Sequence, residues 1–355
     1  MTFGIFLLNF SGSQITMRHR AALSEALNQT NQGDLWRTLR LMLGFTVVME
    51  LTGTMLLASL WVPQMGWSSG LYYSFFHAVS AFNNAGFGLA ADSLTGYVGN
   101  PLVNSVISML FILGGLGFIV VADMLNKRRF QEYALHTKVM LIATVVINAV
   151  AMLAILMLEH GNPNTLGALN EPSDKLWAAW FQAVVPRTAG FNTVDIAALY
   201  PSTAFLMMGL MFIGGGSGST ASGIKLSTFV ILLLATRTFL RQQERPVIFG
   251  RSLSARIVTK ALATTIISLF CVISGTFLLA MIEPGDFLNL AFEAVSAFGT
   301  VGMSRGVTAN LSAAGQVIIM VLMLIGRVGP LTFAFLIANR PGERIRYPDG
   351  QISVG

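Results

Sequence analysis

The chain has 355 residues, of which 54% are hydrophobic and 11% are charged. Soluble domains carry roughly a quarter charged residues, so this composition argues against a soluble enzyme and predicts a protein of the lipid bilayer. The formal net charge of +6 does not indicate a nucleic-acid partner, because the basic residues sort by membrane side, as shown below. The single cysteine, Cys271, allows no disulfide within the chain.

Six apolar runs approach or exceed the roughly 20 residues that a helix needs to cross a bilayer. They are 39–62, 101–125, 139–158, 203–239 (interrupted), 257–282 and 317–338. Shorter apolar segments, 71–82, 176–185 and 287–298, lie between consecutive pairs of these runs. A span, a short helix, a glycine turn and a return span together predict a re-entrant loop between two membrane helices.

The turn after each short segment repeats one pattern: a polar residue, a small or β-branched apolar residue, a glycine and a large apolar residue. Each copy follows an F-x-A-V tag, which begins at Phe76, Phe181 or Phe292. Recurrence at intervals of about a hundred residues predicts one structural unit repeated in tandem. The copies are Asn84-Ala85-Gly86-Phe87, Thr188-Ala189-Gly190-Phe191 and Thr300-Val301-Gly302-Met303.

These three segments have the chemistry of a cation filter. Non-helical backbone at membrane depth is tolerated where it lines a watery cavity, and rings of backbone carbonyls can replace the hydration shell of a monovalent cation. Glycine supplies the backbone angles that aim the carbonyls, and the negative end of the preceding short helix favours a cation. The Thr188 and Thr300 hydroxyls and the Asn84 amide add oxygens, while Phe87, Phe191 and Met303 are expected to pack behind the filter.

Basic residues collect on one side of the predicted spans. Cytoplasmic loops carry the excess of Lys and Arg, so both termini are expected in the cytoplasm, and the glycine turns face the outside of the plasma (inner) membrane. Lys175, Arg187 and Arg305 belong to the outer side. The cytoplasmic set is Arg18, Arg20, Arg37, Arg40, Lys127, Arg128, Arg129, Lys138, Arg237, Arg241, Arg245, Arg251, Arg256, Lys260, Arg340, Arg344 and Arg346.

A glycine-rich segment interrupts the return span of the middle unit. A phosphate-binding loop is rejected, because Ile224 precedes Lys225 and no strand comes before the segment. Close packing of helices through small residues remains an alternative. The favoured interpretation is a broken helix whose middle lies across the pathway below the filter. This candidate gate consists of Gly214, Gly215, Gly216, Ser217, Gly218, Ser219, Thr220, Ala221, Ser222 and Gly223.

Arg327 lies in the middle of the last span, where an arginine is costly and indicates function. We expect it to face the pathway, as an electrostatic barrier or as a partner of the candidate gate. Lys225 is expected to reach the cytoplasmic surface, and Glu50 to form a hydrogen bond between helices. His77, Gln182 and Glu293 occupy matching places in the F-x-A-V tags and are expected to brace the short helices.

These motifs together resemble the Trk/Ktr/HKT superfamily of potassium transporters, most closely its KtrB-type membrane subunit. The likeness covers essentially the whole chain. It rests on the three glycine turns, on G-G-G-S-G-S-T-A-S-G-I-K-L-S-T from Gly214 to Thr228, on Gly326-Arg327-Val328-Gly329-Pro330 and on Tyr347-Pro348-Asp349-Gly350.

The resemblance implies an all-α polytopic membrane protein of tandem helix–pore loop–helix repeats with pseudo-fourfold symmetry. The chain would hold three complete repeats and the tail of a first. The expected organisation is 1–10, end of the second helix of repeat 1; 11–40, cytoplasmic connector; 41–125, repeat 2; 126–138, cytoplasmic loop; 139–240, repeat 3 with the broken gate helix; 241–256, cytoplasmic loop; 257–338, repeat 4; and 339–355, cytoplasmic tail.

The resemblance also implies potassium uptake, with sodium as a coupling or activating ion and potassium bound at the filter only. It implies a homodimer in membrane lipid and a cytosolic nucleotide-binding regulatory ring. No enzyme activity and no cofactor are expected. Because the filter segment of repeat 1 has no counterpart, we predict that residues 1–355 alone do not form a selective pore. A non-conducting membrane scaffold or fragment is the alternative.

Overall fold

The computed structural model describes residues 35–329. This part of the chain is built almost entirely of helices, with one short β-hairpin. The helices are α1 Leu35–Met65, α2 Trp67–Phe82, α3 Pro101–Leu116, α4 Phe118–Asn126, α5 Leu135–Glu159, α6 Pro172–Val184, α7 Pro201–Phe212, α8 Leu226–Leu240, α9 Ala255–Ile282, α10 Phe287–Gly299 and α11 Ala313–Val328. The hairpin pairs β1 Val247–Ile248 with β2 Arg251–Ser252.

The helices fall into three units of the same design. A long helix (α1, α5 or α9) is followed by a short helix (α2, α6 or α10), a glycine turn and a return helix that begins at α3, α7 or α11. Each long helix contacts the short helix that follows it. The all-α fold class is confirmed, and these units correspond to the expected repeats 2, 3 and 4, whose names we keep.

Three described helices are long and apolar enough to cross a membrane: Arg40–Met65 within α1, then α5 and α9. The bent pair formed by α3 and α4 gives a fourth candidate span. The shorter apolar helices α7, α8, α10 and α11 have the lengths expected of interrupted return spans and re-entrant segments.

The return helix of repeat 2 is broken, although the sequence predicts one span over 101–125. α3 and α4 meet at 96°, and Gly117 between them has a φ of 99°. A positive φ of this kind is open to glycine at no steric cost. Gly329 ends α11 with a φ of 98°, so repeat 4 has an equivalent glycine at the end of its own return helix.

The repeats join in order around a shared interior. Helix α3 of repeat 2 packs on the short helix α6 of repeat 3, and α7 of repeat 3 packs on the short helix α10 of repeat 4. The buried core lies among these helices, with Phe82, Phe181 and Phe298 near the C-terminal ends of the short helices. The three glycine turns are therefore brought to one place.

Two expected boundaries shift. Helix α1 begins at Leu35, inside the connector expected over 11–40, and the loop expected over 241–256 contains the β-hairpin. The expected segments 1–10 and 339–355, most of 11–40 and the end of repeat 4 after residue 329 lie outside the described residues.

Candidate functional site

Each glycine turn follows directly after the C-terminus of a short helix. Helix α2 ends at Phe82, α6 at Val184 and α10 at Gly299, and the turns begin within a few residues. The negative ends of three helix dipoles are thus placed at the turns, where they favour a cation.

All three turns share the same unusual backbone. Their first residues, Asn84, Thr188 and Thr300, have φ values of 51°, 76° and 48°. Their glycines, Gly86, Gly190 and Gly302, have φ values of 71°, 82° and 87°. A β-branched residue at positive φ is a genuine outlier, and such strain of on the order of 1–3 kcal/mol per residue concentrates at functional sites. The sequence predicted positive φ for the glycines but not for the threonines.

The three glycines approach one another closely. A Cβ added at Gly86 would lie 2.5 Å from the carbonyl oxygen of Ala189, and one added at Gly190 would overlap the carbonyl oxygen of Val301. The carbonyl of one filter segment therefore faces the glycine of the preceding segment. Since a side chain at Gly86 or Gly190 would displace the neighbouring backbone, these two glycines are required for the close approach.

Asn84 ties two filter segments together. Its amide nitrogen donates to the carbonyls of Phe111 and Ala81, and its amide oxygen accepts from the hydroxyl of Thr188 at 3.2 Å. Through this hydrogen bond Asn84 holds the neighbouring segment in place, and because an amide oxygen has two lone pairs, its role as an oxygen ligand stays a prediction.

Two of the three large filter residues pack as expected. Phe191 is fully buried against the ring of His77 in repeat 2, at 6.3 Å between centroids, and Met303 is also buried. The expectation for Phe87 is wrong, because its side chain is 69% exposed. Phe191, by contrast, packs on the repeat that precedes its own.

The candidate gate is a closed loop between α7 and α8. Its neck is a parallel bridge between Ile213 and Ile224, in which the Gly214 N–H donates to the Ile224 carbonyl at 2.8 Å. The Ser219 hydroxyl donates to the Gly216 carbonyl at 2.7 Å. The prediction that this glycine-rich stretch is not helical is confirmed, since its polar side chains and backbone serve the loop itself.

The loop lies against the break in repeat 2. The Gly216 N–H donates to the Gly115 carbonyl at 2.7 Å, and the Thr220 hydroxyl donates to the Gly114 carbonyl at 3.1 Å. In return, the Phe118 N–H donates to the Gly218 carbonyl at 3.2 Å. The groups freed where α3 ends are thus satisfied by the loop, which explains why the helix can break here.

The loop also contacts repeat 4 through Arg327, whose guanidinium donates to the Thr220 carbonyl. Lys225 donates from its ammonium group to the Ala221 carbonyl at 2.7 Å. Lys225 is half-buried and contacts the candidate gate, and its expected reach to the cytoplasmic surface stays a prediction. The loop of repeat 3 therefore contacts both repeat 2 and repeat 4.

The residue before the filter is tied to the long helix of its own repeat in two cases. The Asn83 amide donates to the Glu50 carboxylate at 2.7 Å, so the expected hydrogen bond of Glu50 is present. The Arg187 guanidinium donates to the Asn148 amide oxygen of α5 at 2.9 Å, and Arg187 is only 9% exposed. The sequence placed Arg187 with the outer loops and missed this buried position, because no periodicity marks it.

The matching tag residues differ in their contacts. The Glu293 carboxylate accepts from the hydroxyls of Ser304 at 2.7 Å and Thr308 at 2.6 Å, so it braces the chain that follows the filter. His77 is buried and its Nδ1 lies 2.8 Å from the Tyr73 carbonyl. Gln182 is fully buried, and among the described residues neither of its polar atoms has a partner. The bracing role is therefore visible for Glu293 and His77.

Comparison with known proteins identifies the class. A family model described as "Cation transport protein", TrkH, matches residues 3–345. The Ktr system potassium uptake protein B of Bacillus subtilis (strain 168) is 49% identical over 355 residues, which cover the whole chain and 80% of that protein. The potassium/sodium uptake protein NtpJ of Enterococcus hirae is 35% identical over the whole chain and 80% of its own length.

The fold is also similar to a solved structure. A crystal structure of the potassium transporter TrkH from Vibrio parahaemolyticus superposes with a TM-score of 0.74 at 18% identity, covering 90% of this chain and 68% of that chain. At this identity, the likeness concerns the fold.

The family match and the curated relatives identify a membrane transport protein and not an enzyme, in agreement with the tandem repeats and the apolar helices. The chain belongs to the TrkH family of cation transport proteins. Among residues 35–329 there is no group of three His, Cys, Asp or Glu side chains that could hold a metal ion.

Proposed function

We propose that this protein is the potassium-translocating membrane subunit of a Trk/Ktr-type uptake system. Two relatives that match the whole chain are a potassium uptake protein and a potassium/sodium uptake protein. The observation that carries the proposal is the shared backbone of the three glycine turns. Each has two left-handed residues at the end of a short helix, and their glycines and carbonyls converge.

Potassium is assigned to the filter segments 84–87, 188–191 and 300–303. Their backbone carbonyls would replace part of the ion's hydration shell, and the helix dipoles would offset the cost of dehydration. Thr188 and Thr300 have positive φ in their turns despite the strain that this places on a β-branched residue. The ion is the substrate, and no resident cofactor is proposed.

The gate is assigned to Gly214–Gly223 together with Arg327. The loop is anchored to Gly114 and Gly115 on one side and to Arg327 on the other. Since each anchor is a small number of hydrogen bonds, the loop can exchange between a position across the pathway and one beside it. This exchange would control the flux without changing the filter.

The proposal is tested by potassium uptake in a host that lacks its own uptake systems. Gly190→Ser should reduce the preference for K⁺ over Na⁺ at least about tenfold, because the added side chain displaces a filter carbonyl. Gly209→Ser is the matched control, since a Cβ at Gly209 in α7 would meet no atom within 4 Å. The proposal fails if Gly190→Ser leaves both uptake and selectivity at the control's level.

The same assay tests the alternative of a non-conducting scaffold and the expectation that residues 1–355 do not form a selective pore. Absence of uptake on expression of residues 1–355 would favour a non-conducting membrane scaffold over the proposed transporter. Uptake with K⁺ preferred over Na⁺ would contradict the scaffold and the expectation that residues 1–355 do not form a selective pore.

Partners and location complete the proposal. We assign the protein to the plasma (inner) membrane with both termini in the cytoplasm, as a homodimer that docks a cytosolic nucleotide-binding ring. The name of the Bacillus subtilis relative includes the word "system", which supports the proposal that further subunits are present. Sodium is proposed as a coupling or activating ion, as the name of the potassium/sodium relative suggests. Uptake measured with and without external Na⁺ tests that role.

A further inference from the structure

Arg187 is a buried cation directly behind the third-repeat filter. It precedes filter residue Thr188 in the chain, and its guanidinium reaches Asn148 in the middle of α5. The Arg187 Nε atom has no hydrogen-bond partner among residues 35–329. Within the same residues the ion pair present is that of Lys127 and Asp123, so no carboxylate neutralises Arg187 there. A buried charge without a counter-ion is costly, and something else must offset it.

The C-terminus of α6 provides that offset. The helix ends at Val184, and the Val184 carbonyl accepts from the backbone N–H of Arg187 at 3.3 Å, so the backbone of Arg187 lies in the last turn of the helix end. Val184 and the Arg187 side chain also line one small cavity, together with Asn148 and Gly215 of the gate loop. A cation beside the last turn of a helix is stabilised by the helix dipole. Arg187 therefore occupies the electrostatic field that the same helix end offers to an ion in the filter.

The other two described repeats lack such a cation. The position before the filter is Asn83 in repeat 2 and Gly299 in repeat 4. Asn83 is tied to the Glu50 carboxylate, and a Cβ at Gly299 would lie 2.8 Å from the Met211 carbonyl oxygen. The dipole ends of α2 and α10 thus face the filter without a competing positive charge at this position. The filter segment of repeat 3 therefore differs electrostatically from the filter segments of repeats 2 and 4.

We infer that Arg187 weakens cation binding at the filter, by placing a buried positive charge at the helix end that would otherwise attract the ion. Transport needs binding that is strong enough for entry and weak enough for release. A fixed positive charge behind one filter segment lowers the affinity of the filter for a cation and leaves the filter carbonyls in place. Arg187 is a positioning residue in this role, since it acts on the ion through the field and not by contact. The inference rests on the proposed function of the glycine turns as a filter.

The experiment compares charge with hydrogen bonding at this site, using the full-length protein in a host without potassium uptake. Arg187→Gln and Arg187→Met remove the charge, and each should lower the KM for K⁺ about three- to tenfold. Arg187→Lys keeps the charge, and Asn148→Ala keeps the arginine but removes its partner. Both should retain a KM within about twofold of the native protein, because the field remains.

A second measurement covers variants that transport poorly. K⁺ that binds the folded protein raises its Tm in a concentration-dependent manner. For purified Arg187→Gln, the rise should reach half its maximum at a K⁺ concentration about three- to tenfold lower than for the native protein. This readout needs a folded protein but no transport.

Two outcomes would overturn the inference. One is that Arg187→Gln and Arg187→Met both keep the KM of the native protein and the K⁺ dependence of its Tm. The other is a shift in Arg187→Lys or Asn148→Ala as large as that of Arg187→Gln, which would show a purely structural role. Gly190→Ser distinguishes a failure of this inference from a failure of the filter proposal. If Gly190→Ser alters the selectivity while the Arg187 variants keep the native KM, only the inference is rejected. If Gly190→Ser leaves the selectivity unchanged, the filter proposal itself is rejected.

Discussion

The guanidinium of Arg327, in the last turn of α11, donates a hydrogen bond to the backbone carbonyl of Thr220 in the gate loop. This contact joins repeat 4 to a loop of repeat 3. Hydrogen bonds to charged groups contribute about 1.5–3 kcal/mol, so Arg327→Gln should release the loop and raise the rate of potassium uptake roughly tenfold. Initial uptake rates, corrected for the amount of protein in the membrane, measure the effect.

Arg305→Gln is the control for that variant. Arg305 also donates to backbone carbonyls, those of Ile196, Ala197 and Leu199, but it has no contact with the gate loop. Its replacement should not raise the rate. If Arg327→Gln were as slow as the native protein, the contact with Thr220 would not restrain the flux.

Removal of the loop itself should have a larger effect. Deletion of residues 215–222 takes away every hydrogen bond that the loop forms with Gly114 and Gly115. We expect uptake at saturating K⁺ to rise above that of Arg327→Gln. Ser219→Ala is the mild counterpart, because it removes only contacts within the loop, to Gly216 and Ala221. Unchanged or lower flux in a deletion variant that is well folded would count against the gate.

Gly326 allows α11 to touch the end of its short helix. A Cβ at Gly326 would overlap the carbonyl oxygen of Phe298, as one at Gly114 would overlap the carbonyl oxygen of Phe82 in repeat 2. Overpacking costs about 1–3 kcal/mol, so Gly326→Ala should lower the Tm of the purified protein and its amount in the membrane. Gly209→Ala, at a site with no atom within 4 Å, should leave both unchanged. Equal Tm values for the two variants would refute this packing role.

Glu159 closes the end of α5 that lies near the start of α7. Its carboxylate is fully buried and accepts from the Asn162 amide, the Thr165 hydroxyl and the Tyr200 N–H, at 2.6, 2.6 and 2.9 Å. Glu159→Ala leaves these donors unsatisfied and should destabilise the protein by about 1–3 kcal/mol. Thermal unfolding of the purified protein measures the loss. Glu132→Ala, at an exposed position, serves as the comparison and should lie within experimental error of the native Tm.

The proposed orientation can be tested with single cysteines, because the chain has only Cys271. In a Cys271→Ser background, Ser93→Cys lies beyond the first glycine turn and Ser252→Cys lies in the β-hairpin. A membrane-impermeant thiol reagent added to intact cells should label the first variant and spare the second until the membrane is opened. The reverse pattern would invert the proposed topology.

Much of the fold could be predicted from the sequence, because its signals are local. The membrane spans appear in the sequence as apolar runs. The short helices before each turn were predicted to within a few residues, since the expected 71–82, 176–185 and 287–298 lie within or almost within α2, α6 and α10. The break at Gly117 was missed. An apolar run of span length carries no mark of a 96° bend that depends on hydrogen bonds from a loop a hundred residues away.

The site was predictable as a set of segments but not as a set of contacts. Three copies of one pattern marked the filter residues, and glycine density marked the loop. The burial of Arg187 and the exposure of Phe87 depend on which segments pack around these residues in the folded protein. No local pattern in a single sequence encodes that neighbourhood.

By itself, the sequence determined that this is a membrane protein of repeated helix–turn–helix units, because hydrophobic length and the need of backbone groups for partners in lipid leave few other structures. Only the tertiary structure decided that Gly86 and Gly190 face the carbonyls of the next repeat and that one loop connects three repeats. These are relations between segments about a hundred residues apart, and packing around a common centre is what creates them.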